Sequence, residues 1–369
     1  MRILHINCNY ILSNLHQTMI ENLNKQDIQS DVFVPTYDVN RSIVDVKSYV
    51  RVVECFKKWD RLFYYKKQDK IIKAIHKTYS CDQYECIHAY TLFSDGNVAM
   101  NLSEAYGVPY VVAIRNTDVN DFFRLMPHLR SRGIEIMRKA SAVFFLSNAY
   151  LDQVLKKYIP TKYHEEILQK THIIPNGIDD FWLNNSVIEN KSIDIKNGVK
   201  LIYAGRIDKN KNIPTTQKAM SILSDRGINT TLTVIGKVED KKEYLKIIKD
   251  KRTSYLPAMP KEKLIDEYKK AEIFVMPSFT ESFGLVYAEA MSQGLPVVYS
   301  KGQGFDNQFP EGTVGFHVSS NDPKSVADGI EKIIDSFDVI RERTAINASK
   351  FNWEYIAGEY LTIYTEIIG

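Results

Sequence analysis

From Thr280 to Val298 the chain reads TESFGLVYAEAMSQGLPVV. Ser282, Phe283 and Gly284 form a short turn, and Leu285 to Gln293 is predicted as a helix. Gly294 stops that helix, and Leu295 to Ser300 has the apolar, β-branched character of a strand. Glu281 then lies on the loop and Glu289 about a turn and a half into the helix. Between them fall the free backbone N–H groups and the positive dipole end of the helix. Carboxylates accept hydrogen bonds from hydroxyls, while amides take negative charge. A ligand that is anionic at its centre and hydroxyl-rich at both ends fits this layout. Ribose, diphosphate and hexose in a row, as in a nucleotide-sugar, have that order. A glutamate on a helix surface is ordinarily just solvated, but Glu289 is flanked by Ala288, Ala290 and Met291, poor company for a solvent-facing charge.

Around this stretch, short β-rich runs alternate with helical periods through most of the chain. Strands are expected at Arg2–Asn7, Ser30–Pro35, Cys86–Ala89, Tyr110–Ile114, Ala142–Leu146 and His172–Pro175, with a helix at Leu15–Asn24. The polar stretch 184–198 is read as a linker or surface loop. The pattern then restarts with strands Lys200–Ala204, Thr230–Ile235 and Ile273–Met276 and helices Pro214–Arg226 and Glu262–Ala271. Alternation of this kind predicts an α/β class with parallel sheets covered by helices on both faces. Two such domains are expected, 1–180 and 181–352, followed by a terminal helix over 353–369.

The 369 residues, 44% hydrophobic and 25% charged, match an ordinary globular protein large enough to need neither disulfides nor a structural metal. Cys8, Cys55, Cys81 and Cys86 have no metal-type spacing and are read as reduced thiols in a cytoplasmic protein. The N-terminus lacks the pattern of a secretory signal, and no run approaches the ~20 apolar residues of a membrane span. A net charge of +3 leaves no global nucleic-acid footprint. The charge is uneven, however: residues 51–80 carry nine Lys or Arg against three acids, interleaved with Phe56, Trp59, Phe63, Tyr64 and Tyr65. Basic side chains beside Trp and Tyr suit a peripheral contact with an anionic membrane, at the inner face of the bilayer for a cytoplasmic protein. An exposed helix with packed stems and solvated heads is the plainer alternative.

Directly after the strand Lys200–Ala204 come Gly205 and Arg206, with Lys211 five residues on. Strand ends carry ligand sites in open α/β sheets. A forked guanidinium and a point-charge ammonium placed there suit a leaving diphosphate.

AGRIDKNKNI, the PNGID of Pro175–Asp179 and PSFTESFGLVYAEAMSQGLPVV together resemble the retaining glycosyltransferases of the large family that includes sucrose and glycogen synthases, family 4 and its relatives. Bacterial capsule and lipopolysaccharide enzymes are the nearest in style. The resemblance implies a GT-B fold, in which two Rossmann-like domains face each other across a cleft and the last helix crosses back to the first. It implies hexose transfer, with retention, from a nucleotide-diphosphate sugar to a glycan or lipid-linked acceptor, with no cofactor and no metal. Carried over, Glu289 binds ribose hydroxyls and Glu281 donor-sugar hydroxyls. Arg206 and Lys211 take the diphosphate. Gly205, Ser282, Phe283, Gly284 and Leu285 complete the donor side, with Arg206, Lys211 and Glu281 in the catalytic roles.

In the first domain, IHAYTLFSDG at Ile87–Gly96 and VPYVVAIRNTDVN at Val108–Asn120 resemble the segments that line the acceptor side. His88, Arg115 and Asp118 are the candidates there. Many relatives carry a histidine where this chain has Arg115, which is always protonated and cannot serve as a base. That departure keeps a rival reading open, a non-catalytic donor-binding partner of an active transferase. The stretch Arg252–Pro260 is assigned to recognition of the nucleoside base. No GxGxxG follows the first strand and no HExxH, GxSxG or P-loop pattern occurs, so dehydrogenase, metalloprotease, serine-hydrolase and NTPase readings lack support.

Overall fold

The computed structural model describes residues 1–186 and 192–369. Part of the stretch read as a linker, 187–191, lies outside them. The chain divides into two compact units. The first comprises Met1–Leu146, Tyr150–Gly177 and Trp353–Gly369, and the second Ile178–Asn352 with the short piece Ser147–Ala149.

The first unit is built on seven strands: β1 (Arg2–Ile6), β2 (Gln29–Thr36), β3 (Val50–Glu54), β4 (Cys86–Ala89), β5 (Tyr110–Ile114), β6 (Ala142–Phe145) and β7 (Thr171–Ile173). They run parallel in the order β3-β2-β1-β4-β5-β6-β7. The central strands β4, β5 and β6 are buried along their whole length, as a sheet covered on both faces requires. The helix Trp353–Ile368 belongs to this unit, where Trp353, Ile356, Tyr360 and Tyr364 join a core with Ile3, Ile20, Leu23 and Val111.

Six strands form the second sheet: β8 (Val199–Ala204), β9 (Thr230–Gly236), β10 (Thr253–Pro257), β11 (Ile273–Met276), β12 (Val297–Ser300) and β13 (Gly315–Val318). They too are parallel, in the order β10-β9-β8-β11-β12-β13. Both sheets therefore reverse their winding at one place, between β1 and β4 in the first and between β8 and β11 in the second. At such switch points the loops leaving neighbouring strands turn opposite ways and open a crevice at the carboxyl ends. This is the α/β arrangement of a GT-B protein. Among the described residues no helix is long and apolar enough to cross a membrane.

Candidate active site

The two motif segments of the second unit, some seventy residues apart in sequence, meet because β8 and β11 are neighbours, with Ile273 opposite Leu201. The loop 205–212 leaves β8 and the loop 277–284 leaves β11 at the same edge. Asn210 fastens them together. Its side-chain amide donates to the Thr280 carbonyl at 2.8 Å, and its Oδ1 accepts from the Thr280 backbone N–H at 3.0 Å and hydroxyl at 2.7 Å. Asn212, in the left-handed region at φ 57°, donates to the carbonyls of Pro277 and Ser320. Neither asparagine stands out in the sequence; two Asn in a polar loop are ordinary turn residues.

Across this seam Lys211 Nζ lies 2.6 Å from Glu281 Oε2, with the two side chains only 12% and 10% exposed. A pair so withdrawn from water interacts far more strongly than a surface ion pair. Glu281 is fixed further through its backbone, whose N–H donates to Gln303 Oε1 at 2.9 Å and whose carbonyl accepts from Gly304 N–H at 3.0 Å. Gly304 is required here by contact, since a Cβ would stand 1.8 Å from the Ser282 carbonyl oxygen. Gly302-Gln303-Gly304 thus packs onto the glutamate loop.

Arg206 is largely exposed. Its guanidinium reaches Asp208 at 3.9 Å, and its carbonyl accepts from the Tyr203 hydroxyl at 2.5 Å. Asp208 also accepts from the backbone N–H of Lys211 at 3.1 Å, so its carboxylate ties the Arg206 guanidinium to the backbone of the turn that carries Lys211. Gly205, at the end of β8, donates its N–H to the Ile235 carbonyl at 2.9 Å.

The helix expected after Gly284 runs Leu285–Ser292. Gly284 caps it at φ 79°, ψ 63°, a conformation that an L-residue adopts only with strain. A Cβ there would also meet the Tyr287 ring at 2.5 Å. The turn and the aromatic beneath it account for this glycine without invoking ligand approach. Phe283 is buried and packs edge-on against Phe351, whereas Ser282 and Leu285 are half-buried.

Glu289 is half-buried, and loss of hydration raises its pKa to about 7, with the nearby Asp179 carboxylate adding to the rise. Asp179, from the PNGID segment, caps its own short helix through the Phe181 N–H and pairs with Lys261 at 2.5 Å. Lys261 partly offsets the rise at Glu289. Sequence reasoning passed over Lys261. As the first residue of a helix following Pro260, it looks like ordinary surface charge.

The acceptor-side candidates of the first unit fare differently. His88 is fully buried, stacked on Tyr90 at 4.3 Å, with Nδ1 2.5 Å from the Tyr364 hydroxyl. Burial pushes its pKa well down. It is a neutral histidine of the core, with Nε2 left without a hydrogen-bond partner among the described residues. Asp118 is likewise wholly buried. Its carboxylate accepts from the backbone N–H groups of Leu92, Phe93 and Arg115 at 3.0, 3.1 and 2.9 Å. Desolvation still outweighs those bonds and raises its pKa to about 6. It organises two loops and offers no open edge to a sugar. Arg115 is half-buried, donating to the Tyr90 carbonyl at 3.3 Å and to Asn176 Oδ1 at 3.4 Å. The guanidinium therefore positions the PNG turn. Arg252–Pro260 contains strand β10, and Arg252 is held by Asp250 at 2.7 Å.

Sequence comparison points to the same family as the motifs. The family described as Glycosyl transferases group 1 matches residues 187–351, and Glycosyltransferase Family 4 matches 15–180. D-inositol 3-phosphate glycosyltransferase of Paenarthrobacter aurescens is 27% identical over 309 residues, 78% of this chain and 74% of its own. The capsular polysaccharide biosynthesis glycosyltransferase CapM of Staphylococcus aureus is 30% identical over 53% of this chain and 55% of its own. In fold, the chain is similar to the sucrose-phosphate synthase of Thermosynechococcus elongatus (TM-score 0.75, 19% identity, 100% of this chain and 99% of that one). It is similar also to Anabaena HepE solved with UDP (TM-score 0.71, 16% identity, 99% and 100%). Fold and family models define a GT-B glycosyltransferase. The chain belongs to the group 1 glycosyl transferases, of the family 4 type.

Proposed function

We propose that the chain is a metal-independent, retaining hexosyltransferase that moves a sugar from a nucleotide-diphosphate donor to a glycan or lipid-linked acceptor at the cytoplasmic face of a membrane, in capsule or lipopolysaccharide biosynthesis. The observation that carries this is the Lys211–Glu281 pair, which joins the loops of β8 and β11 beside the start of the Leu285–Ser292 helix. A diphosphate brought there meets Arg206, Lys211 and the helix N–H groups. Glu281 holds hydroxyls of the transferred sugar and Glu289 those of the ribose. A UDP-bound neighbour of the same fold and a capsular relative support the donor class and the pathway.

Chemically, the C–O bond at the anomeric carbon breaks as negative charge gathers on the departing diphosphate. Arg206, Lys211 and the helix terminus stabilise that charge. The acceptor oxygen arrives on the face the diphosphate leaves, and a phosphate oxygen takes its proton. No side-chain base is needed, so an arginine at position 115 is compatible with turnover.

The test is release of nucleoside diphosphate from a panel of nucleotide-sugars, chosen by a thermal-shift screen of nucleoside diphosphates. The expected result is stabilisation by one diphosphate and acceptor-dependent release of it, unaffected by a chelator. Binding without release on any acceptor would favour the non-catalytic partner instead.

A further inference from the structure

The donor site makes no use of the basic aromatic stretch, whose fold is now specific. It forms a 3-10 turn, Lys58–Leu62, leading into the helix Tyr64–Thr78. The helix buries Gln68, Ile71 and Ile75 and turns Tyr65, Lys66, Lys73 and Lys77 to solvent. At the turn, bulky apolar side chains stand out in water: Leu62 is 83% exposed, Phe63 55% and Trp59 48%. Trp59 and Phe63 meet edge to face with centroids 6.1 Å apart. The ammonium groups of Lys66 and Lys70 lie over the Trp59 ring at 4.7 and 5.3 Å. From Lys57 to Lys77 there are eight Lys or Arg against two Asp. One of those acids, Asp60, is buried and paired to Lys70 at 2.5 Å.

We propose that this surface docks on an anionic lipid bilayer. Leu62, Phe63 and Trp59 enter the interfacial layer, and Lys58, Arg61, Lys66 and Lys73 meet the lipid phosphates. Aromatic rings and long basic side chains both favour that boundary, the rings at headgroup depth and the cations snorkelling to the phosphates. A protein partner fits less well, since lysine is depleted from protein interfaces. A nucleic acid would stack on the aromatics but offers nothing to a leucine at the tip. The proposal goes beyond the transfer reaction and stands without it.

The chain supplies its own probe. Of its three tryptophans, Trp182 and Trp353 are 3% and 2% exposed, so Trp59 is the indole that reports a change of surroundings. The full chain is titrated with phosphatidylcholine vesicles with and without about a third phosphatidylglycerol, following tryptophan emission and co-sedimentation. The expected result is a blue shift and co-sedimentation with the anionic vesicles, weakened by salt and missing with phosphatidylcholine alone. Each cation near the surface is worth about a fivefold gain in partitioning. The triple variant Lys58→Gln, Arg61→Gln, Lys66→Gln should therefore partition roughly a hundredfold less. Leu62→Asp with Phe63→Asp should lose the blue shift. Both should keep the wild-type circular dichroism and nucleotide response. Vesicle binding indifferent to phosphatidylglycerol, variants that bind like wild type, or tighter binding to single-stranded RNA than to vesicles would each overturn the proposal.

Discussion

The loops after β8 and β11 and those after β1, β4 and β5 occupy the same place in two sheets wound alike, yet they use their carboxylates in opposite ways. In the first unit Asp118 is closed off, with three backbone N–H groups filling its oxygens. Asp95 is similar, accepting from the Thr91 hydroxyl at 3.0 Å and the Cys8 N–H at 3.3 Å, with its pKa raised to about 7 by burial. In the second unit Glu281 faces a lysine side chain and Glu289 lies half-buried beside an ion pair. A carboxylate bonded to backbone amides cannot exchange them without unfolding a loop. One facing a flexible ammonium can share it with an incoming anion. The same topology thus yields a structural brace in one unit and exchangeable charge in the other.

Substitution at the exchangeable end should produce the largest effect. Lys211→Ala is expected to lower turnover about a hundredfold and also to destabilise the protein by a few kcal/mol, roughly the cost of leaving one half of a buried pair alone. Steady-state assays with melting curves check both. Arg206→Ala, at an exposed side chain, should show a similar loss of turnover, roughly a hundredfold, with melting unchanged. Wild-type turnover in both variants would remove them from the mechanism.

At the braced end the effect should fall on stability. Asp118→Ala strands three buried backbone donors and is expected to cost roughly 3 kcal/mol of unfolding free energy in urea titration, with nucleotide binding to the second unit unaltered. A variant as stable as wild type would mean that the brace is not one.

The smallest effect concerns pH. Glu289 has its pKa raised from 4.5 to about 7 by burial, so it is mostly protonated at pH 6 and ionised at pH 8. Ionised carboxylate accepts ribose hydroxyls better, so nucleotide affinity should climb with pH, by up to about tenfold over that range. Glu289→Gln should flatten the climb. In the unliganded protein the sign is the reverse. Ionising the half-buried group is unfavourable, so its contribution to stability declines as pH rises from about 4.5 through 7.

Much of the architecture was legible because central parallel strands are continuous apolar runs: Cys86–Ala89, Tyr110–Ile114 and Ile273–Met276 fall where they were expected. The strands that escaped notice, β3, β10 and β13, all lie at sheet edges. Their half-exposed faces, VRVVE, TSYLP and GFHV, interrupt the apolar run that gives a central strand away. In the site, the glutamates and cations were legible from charge at strand ends and helix starts. Asn210, Gln303 and Lys261 were not, because their importance comes from tertiary neighbours rather than from spacing. His88 misled for the same reason. A histidine ending a strand looks ligand-facing until the aromatic helix Trp353–Ile368, far away in sequence, is seen to cover it.

The central claim is that a pyrophosphoryl group is held by Arg206, Lys211 and the start of the helix carrying Glu289. Calorimetric titration of the stabilising nucleoside diphosphate and its monophosphate into wild type and Lys211→Ala tests it most directly. Wild type is expected to prefer the diphosphate by roughly tenfold or more, and the preference to shrink in the variant, which keeps only Arg206 and the helix start. Equal preference in the two proteins would contradict it.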